Sequence, residues 1–552
     1  MGGPFAVFDV LFHNCRLVDG TGNAWFWADV AVKGKKIAAI WPLPATPGIA
    51  GTPTTAPTTD AGLPPARRTI DLAGRYLAPG FIDIHTHSDF TILIGPKNES
   101  KIRQGVTTEV TNNCGGWAAP LHGYARKVAE NDVVRYGGDP SMLTWTTMPE
   151  YLDHLERTPH TVNAVTLVGH GTVRTAVLGH ENREPTAAEL EKMKAYVAEA
   201  MEAGCAGMST GIYYTPGAFA KTDEYIALAQ VVARYGGMHA SHIRDESNYN
   251  IGLLAAIDEI VDIAKGSGVR TQIAHVKCLG PATWGQGEQV LAKIDAARAA
   301  GFDVTGDRYP YDASGSSIAS SLLPRWAQEG GKAEMVKRLK DADTAAKLAK
   351  EMEANLARRG GPDRLFLSQY LPNPAYDGMS LAQVAAKMGK DPIAAAQTLL
   401  HEGDAPLVCH VMDDADTAKI IGHSAIMAGS DGSCLATEGP LAGGMPHPRH
   451  FGTFPRYLAY WARERGVLSM EEAVRKMSGF PAQKLQLKDR GLVKEGYWAD
   501  LVVFDYEKVK DAATFNNPKQ YPEGIDLVMV NGEVVVEDGR HTGKFPGATI
   551  RF

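Results

Sequence analysis

From residue 186 to residue 307 the chain repeats one rhythm of apolar and polar positions. Thr186-Ala-Ala-Glu189 has the form of a capping box, and apolar positions at helical spacing follow it to Met201 before Gly204 stops the helix. A short apolar run, Cys205–Ser209, then reads as a strand. The pattern recurs three times. Helices predicted over Thr222–Tyr235, Ile251–Lys265 and Gln289–Ala300 each stop at glycine, and each leads into a strand: Met238–His242, Val269–His275 and Phe302–Asp307. The strand ends Ser209, His242, His275 and Asp307 stand 33, 33 and 32 residues apart. That spacing matches the ~31 residues per unit of a (β/α)8 barrel. Runs at Phe81–His87, Gly105–Cys114, Asn163–His170 and Ile426–Asp431 complete eight candidate strands, which right-handed helical crossovers would close into an α/β barrel.

The ends of the chain have a different pattern. Residues 7–40 alternate in short apolar and polar runs broken by Asp19-Gly-Thr-Gly-Asn23, and short strands return after Gly491 at Trp498–Phe504, Leu527–Val530 and Val534–Asp538. The expected organisation is a small composite β-sandwich domain built from residues 1–76 and 485–552, with the barrel at 77–484 between them. Residues 42–67, rich in Pro, Thr and Ala, read as a surface excursion. The interval 308–425 is too long for one barrel unit. It predicts an insertion at about 324–372, folded over the barrel mouth.

Composition narrows the class. The 552 residues are 44% apolar and 22% charged, as in a globular protein, and no run approaches the roughly 20 apolar residues of a membrane helix. A net charge of −7 argues against nucleic acid or an anionic membrane as partner. Met1–Val18 lacks a basic start and a continuous apolar core, so no secretion signal is expected. Six cysteines, scattered without paired spacing, suit a reducing cytoplasm.

The chemistry lies at the predicted strand ends, where barrel enzymes place their active sites. His85 and His87 fall at i and i+2 on the first, so they face one way from an extended chain. Cys114 ends the second, His242 the fifth, His275 the sixth and Asp431 the eighth. A lone His-x-His is weak evidence, but packing does not account for six metal-competent groups at five of eight strand ends. Imidazole, thiolate and carboxylate together favour zinc over magnesium or calcium. Lys277 lies two residues past His275, and Arg449 sits in the loop Met445-Pro-His-Pro-Arg after Asp431. Two cations beside such a centre suit a substrate bearing a carboxylate.

Five stretches carry a resemblance: His85-Thr-His87, Gln104-Gly-Val-Thr-Thr-Glu-Val-Thr-Asn-Asn-Cys114-Gly, His242-Ile-Arg-Asp-Glu246, Gly429-Ser-Asp431-Gly and Pro446-His-Pro-Arg449. Together they resemble the D-aminoacylase (N-acyl-D-amino-acid deacylase) branch of the amidohydrolase superfamily, and the likeness extends to the tail Gly496–Phe504. Other amidohydrolases usually bridge two metals with a modified lysine on the fourth strand. Here that strand ends Gly207-Met-Ser-Thr-Gly211 without one, and the resemblance makes Cys114 its substitute. It further implies a tight zinc on Cys114, His242 and His275, and a weaker second position at His85, His87 and Asp431 that shares Cys114. Asp431 is then the general base and acid, while Lys277, Arg449 and Tyr214 bind the amino-acid carboxylate. The implied activity is release of D-amino acids from small N-acyl-D-amino acids, or from dipeptides ending in a D-residue.

Two other readings carry less weight. A cyclic amidase of the hydantoinase or dihydroorotase type predicts the missing lysine, and a non-catalytic scaffold predicts gaps among ligand positions that are all filled. Gly207-Met-Ser-Thr-Gly211 formally matches a nucleophile elbow, but a Tyr-Tyr-Thr-Pro-Gly loop follows it instead of a helix. Asp83, beside the metal strand, either supports the site or faces the helices. Trp117, Tyr213, Tyr214 and Leu435 are expected to form an apolar pocket for hydrophobic D-side chains.

Overall fold

The computed structural model describes residues 7–43 and 63–552. The excursion expected at 42–67 falls largely outside the described residues, and a strand, Ala66–Asp71, begins at its end.

Eight parallel strands run in circular sequence order: Phe81–Asp83, Val106–Thr111, Asn163–Gly169, Gly207–Gly211, Met238–His242, Arg270–Ile273, Val304–Arg308 and Ile426–Ala428. The expected α/β barrel is therefore present. Helices Ala187–Glu202, Thr222–Arg234, Leu253–Ser267 and Gly287–Ala299 fill the predicted intervals between strands. Thr186 caps the first of these: its hydroxyl accepts from Glu189 N, and the Glu189 carboxylate accepts from Thr186 N. A cap of this kind contributes about 1 kcal/mol. Inside the barrel Ile82, Val110, Leu167 and Met427 meet Phe480 and Leu485 from the short helix Gly479–Leu485. That plug fills the end of the barrel away from the candidate site.

The first, second, third, sixth and eighth strands end earlier than predicted, where the chain leaves the ladder to form the mouth. The fifth ends at His242 as expected, and the fourth and seventh run on to Gly211 and Arg308. His85 and His87 lie past the last ladder residue, Asp83. The chain nevertheless stays extended there, through an isolated parallel bridge from Thr86 to Gly432. This bridge marks the seam of the barrel, because the first and eighth strands share no ladder of their own.

Both chain ends meet in one nine-stranded sheet, in which Leu501–Phe504 pairs antiparallel with Tyr76–Pro79. Alternate residues from Val10 to Val534 gather in one apolar cluster, so this sheet encloses its own core. Between the seventh and eighth barrel strands the chain builds a further body. Its antiparallel strands Ser314–Ser317, Pro406–Cys409 and Leu365–Leu367 pack with helices around a separate core that includes Leu322, Leu348, Met352 and Leu399. The stretch 324–372 lies within this longer excursion. The edge strand Ser314–Ser317 and the central strand Pro406–Cys409 supply most of the residues that this body brings to the barrel mouth.

Candidate metal centre and active site

The loop after the second barrel strand holds the centre of the site. Asn112 and Cys114 both adopt positive φ, +60° and +53°, a conformation that costs a non-glycine residue on the order of 1–3 kcal/mol unless its surroundings impose it. They are imposed here. Asn112 N donates to Asp89 Oδ1 at 2.6 Å, the Asn112 carboxamide accepts from Ala118 N at 3.0 Å, and Asn113 Nδ2 donates to Val110 O at 2.9 Å. Ser209 accepts from Gly115 N at 3.0 Å and donates to Asn112 O. The serine of the Gly-x-Ser-x-Gly stretch thus seats the cysteine loop, which accounts for that motif without a nucleophile. Its final glycine has a matching role: a Cβ on Gly211 would lie 2.2 Å from Cys114 O, so only glycine admits the loop there.

Around Cys114 Sγ stand three imidazole nitrogens: His85 Nε2 at 3.4 Å, His275 Nε2 at 3.6 Å and His242 Nδ1 at 3.7 Å. His85, Cys114, His275 and Asp431 each offer a donor atom, all within 4.8 Å of one another. His87 Nε2 reaches Asp431 Oδ1 at 3.0 Å and His85 Nε2 approaches the same oxygen at 3.5 Å. All six predicted ligand positions are therefore brought together. His275 and Asp431 also adopt positive φ, +35° and +50°, so three of the six sit in backbone conformations that their neighbours must enforce.

Two carboxylates not singled out as site residues from the sequence brace the imidazoles from outside. Asp307, fully buried, lies 3.2 Å from His85 Nδ1 and accepts from His275 N at 2.9 Å. Glu246 Oε1 lies 3.3 Å from both His242 Nε2 and His275 Nδ1. Once a metal takes the inner nitrogens, which otherwise donate to the Cys114 thiolate, each outer nitrogen can hold a proton against the carboxylate beside it. Lys277 competes for one of them: its Nζ lies 2.7 Å from His275 Nδ1 while pairing with Glu246. A signal for Glu246 was present in the His-Ile-Arg-Asp-Glu stretch. Asp307 carried a signal too, as the residue that ends the seventh predicted strand, two strands from His85.

Electrostatics follow from this crowding. Burial opposes the Cys114 thiolate, yet the charge of His85 and hydrogen bonds from His242 and His275 hold its pKa well below the ordinary thiol value. Burial likewise works against ionised Glu246 and Asp431. Lys277 above all keeps the former well below the usual carboxylate range, and Arg449 does so for the latter. His242 is lowered as well, but chiefly by burial, which favours its neutral form.

A cavity of about 480 Å³ opens beside the cluster, lined among others by His87, Cys114, Asp431, Arg449, Tyr214 and Trp117. Arg449 donates from Nη1 to Asp431 Oδ2 at 2.6 Å, and its Nε is buried without a partner. Lys277 is 3% exposed, held by Glu246, and lies outside the cavity lining. The expected apolar pocket is divided. Trp117 and Tyr214 face the cavity, but Tyr213 is tied by its hydroxyl to Ser320 O and Arg359, and Leu435 belongs to a separate cluster. The far wall is instead rich in hydroxyls, with Ser316, Ser317, Ser320 and Ser368 beside Arg135.

The chain is similar to known proteins over nearly its whole length. Over 545 residues the chain is 34% identical to an N-acyl-D-glutamate deacylase of Alcaligenes xylosoxydans xylosoxydans, covering 98% of this chain and 96% of that one. It is 35% identical over 543 residues to a D-aminoacylase of the same organism, covering 98% and 97%. Among solved structures, N-acyl-D-glutamate deacylase from Bordetella bronchiseptica, complexed with zinc and a phosphonate mimic of the tetrahedral intermediate, superposes with a TM-score of 0.80 at 32% identity, covering 99% of this chain and 100% of that one. The sequence matches the amidohydrolase family over residues 68–429 and 425–536. With its parallel barrel and the imidazoles, thiol and carboxylate gathered at the barrel mouth, the chain belongs to the amidohydrolase family.

Proposed function

We propose that the protein is a zinc-dependent N-acyl-D-amino-acid deacylase. The observation that carries this reading is the convergence of three carboxylate-braced imidazoles on one thiol, beside a cavity that presents a guanidinium. This donor set fits zinc: sulfur, nitrogen and carboxylate oxygen at mutual distances an ion could bridge. Cys114, His242 and His275 would hold the tight ion. His85, His87 and Asp431 flank a second position that shares Cys114 and is more open, since the His87 side chain is 31% exposed.

Bound there, zinc supplies Lewis acidity, lowering the pKa of water and polarising the amide carbonyl. The chain's own residues do the rest. Asp431 is the proton carrier, accepting from the attacking water and delivering to the leaving amine. Arg449 grips the substrate carboxylate through its fork, and Tyr214 lines that side of the cavity. Because Arg449 also pairs with Asp431, a carboxylate arriving at Arg449 weakens its hold on Asp431 and raises that group's proton affinity. The relatives named above act, by name, on N-acylated D-residues, which supports the stereochemistry. A cytoplasmic setting is supported by six unpaired cysteines, and no helix among the described residues is long and apolar enough to cross a membrane.

The test is hydrolysis of N-acetyl-D- and N-acetyl-L-methionine, with metal content measured on the same sample. D-selective release by zinc-loaded protein is expected. Zinc with cleavage of neither enantiomer would overturn the reading.

A further inference from the structure

The seam of the barrel carries three of the candidate ligands, and it is the one junction without a ladder. His85 and His87 come from its first side and Asp431 from its eighth. Main-chain bonds cross it only near the mouth, from Asp431 N to His85 O at 2.9 Å and from His87 N to Gly432 O at 3.0 Å. Below them the crossing is made by side chains. Asp83 Oδ1 accepts from Ser430 N at 2.9 Å. Lys101, on the short helix Glu99–Ile102, reaches into the seam with its ammonium fully buried. It donates to Asp83 Oδ2 at 2.7 Å, to Ser430 Oγ at 2.7 Å and to Gly432 O at 3.2 Å. These use all three of its protons.

The acceptors lie on both sides of the seam, and two belong to the residues flanking Asp431. Asp431 itself is held at φ +50°, a conformation its neighbours must maintain. Glu109, 3.8 Å from Lys101, offers no hydrogen bond to it, and burial pushes its carboxyl up to about 7. Asp83 is therefore the ion-pair partner of Lys101. An isolated buried ammonium would cost several kcal/mol, and replacing a buried pair by apolar groups is often neutral or stabilising, so stability alone gives weak reason to keep this one.

We infer that Lys101 is a positioning residue for the deacylase reaction: with Asp83 it clasps the first strand to the eighth and fixes Asp431 against His85 and His87. The inference rests on the proposed role of Asp431 as proton carrier. Lys101→Met alone strands Asp83 as a buried charge and endangers folding, so the informative variant is Lys101→Met/Asp83→Asn. There the carboxamide still accepts from Ser430 N, no charge is stranded, and Ser430 Oγ and Gly432 O lose their donor. The expected result is a melting temperature near wild type with kcat down about tenfold or more and KM nearly unchanged, the signature of a transition-state interaction lost. Recovery of kcat together with stability would overturn the inference and leave the pair a structural one. If the double variant does not fold, Ser430→Ala removes one acceptor without touching charge. It should fold and lower kcat by a smaller factor at unchanged KM, and unchanged kcat would also overturn the inference. Wild-type protein in the same assay separates the two questions. Failure to cleave any N-acetyl-D-amino acid would refute the deacylase reading itself.

Discussion

The inner and outer halves of the centre are built on different principles. On the inner side His242 and His275 are 3% and 2% exposed, each with its outer nitrogen 3.3 Å from one carboxylate, Glu246. On the outer side His87 is partly open to the cavity and Asp431 is shared between His87 and Arg449. Carboxylate-braced imidazoles buried from solvent suit a permanent ligand set. A carboxylate contacted by two exchangeable partners at a cavity wall suits a group that must take up and release a proton. The contrast teaches that one cluster of six side chains divides between holding and reacting, and the dividing atom is Cys114 Sγ, which touches both halves.

The largest effect should come from removing that shared atom. Cys114→Ala is expected to yield folded protein without bound zinc and without detectable hydrolysis, checked by elemental analysis beside the activity assay. Retention of zinc by the alanine variant would break the division, because the remaining imidazoles would then suffice. Next comes Asp431→Asn, which keeps the shape of the outer half and removes its proton acceptor. It should lower kcat by about 10²–10⁴-fold, the usual range for a general acid–base, while zinc content stays at the wild-type level. Loss of zinc in this variant would move Asp431 into the holding half. Glu246→Gln should do the reverse. An amide cannot favour the required tautomers of both His242 and His275, so zinc affinity should fall by about 10–100-fold in a chelator competition. At saturating zinc, kcat should recover.

These residues also show which parts of the molecule were legible in the sequence. The barrel rhythm was, because strand ends recur every 32 or 33 residues from Ser209 to Asp307, each after a helix that stops at glycine. The six cluster residues were, because strand ends in such a barrel point to one place regardless of detailed register. Residues whose meaning depends on a partner distant in sequence were harder to read. Asp307 serves His85 from 222 positions away, and Lys101 meets Ser430 across 329. Asp83 could not be assigned from its own strand, since the ladder that would define its surroundings is missing at the seam. The pocket failed for another reason. Tyr213 and Leu435 are apolar by composition, but a hydrogen bond from the inserted body claims one and a neighbouring cluster the other. The inserted body supplies a wall of serines that no pattern in the barrel strands could announce.

The smallest expected effect probes the boundary between reacting and recognising. Arg449 is 7% exposed, donates to Asp431 Oδ2 at 2.6 Å and keeps a buried Nε without a partner. Its guanidinium lies against Gly315 of the inserted body so closely that a Cβ there would fall 2.6 Å from Nη2, which fixes the plane of the fork. Lysine preserves the charge but has neither the fork nor the plane. If Arg449 grips the substrate carboxylate, Arg449→Lys should raise KM for N-acetyl-D-methionine by about tenfold, equivalent to roughly 1.4 kcal/mol, and leave kcat nearly unchanged. If its main work is on Asp431, the pattern inverts: kcat falls at constant KM, because the loss is felt only when the proton moves. The second outcome would place Arg449 wholly within the reacting half. Recognition of the carboxylate would then pass to Lys277, which would have to leave Glu246 to reach the cavity.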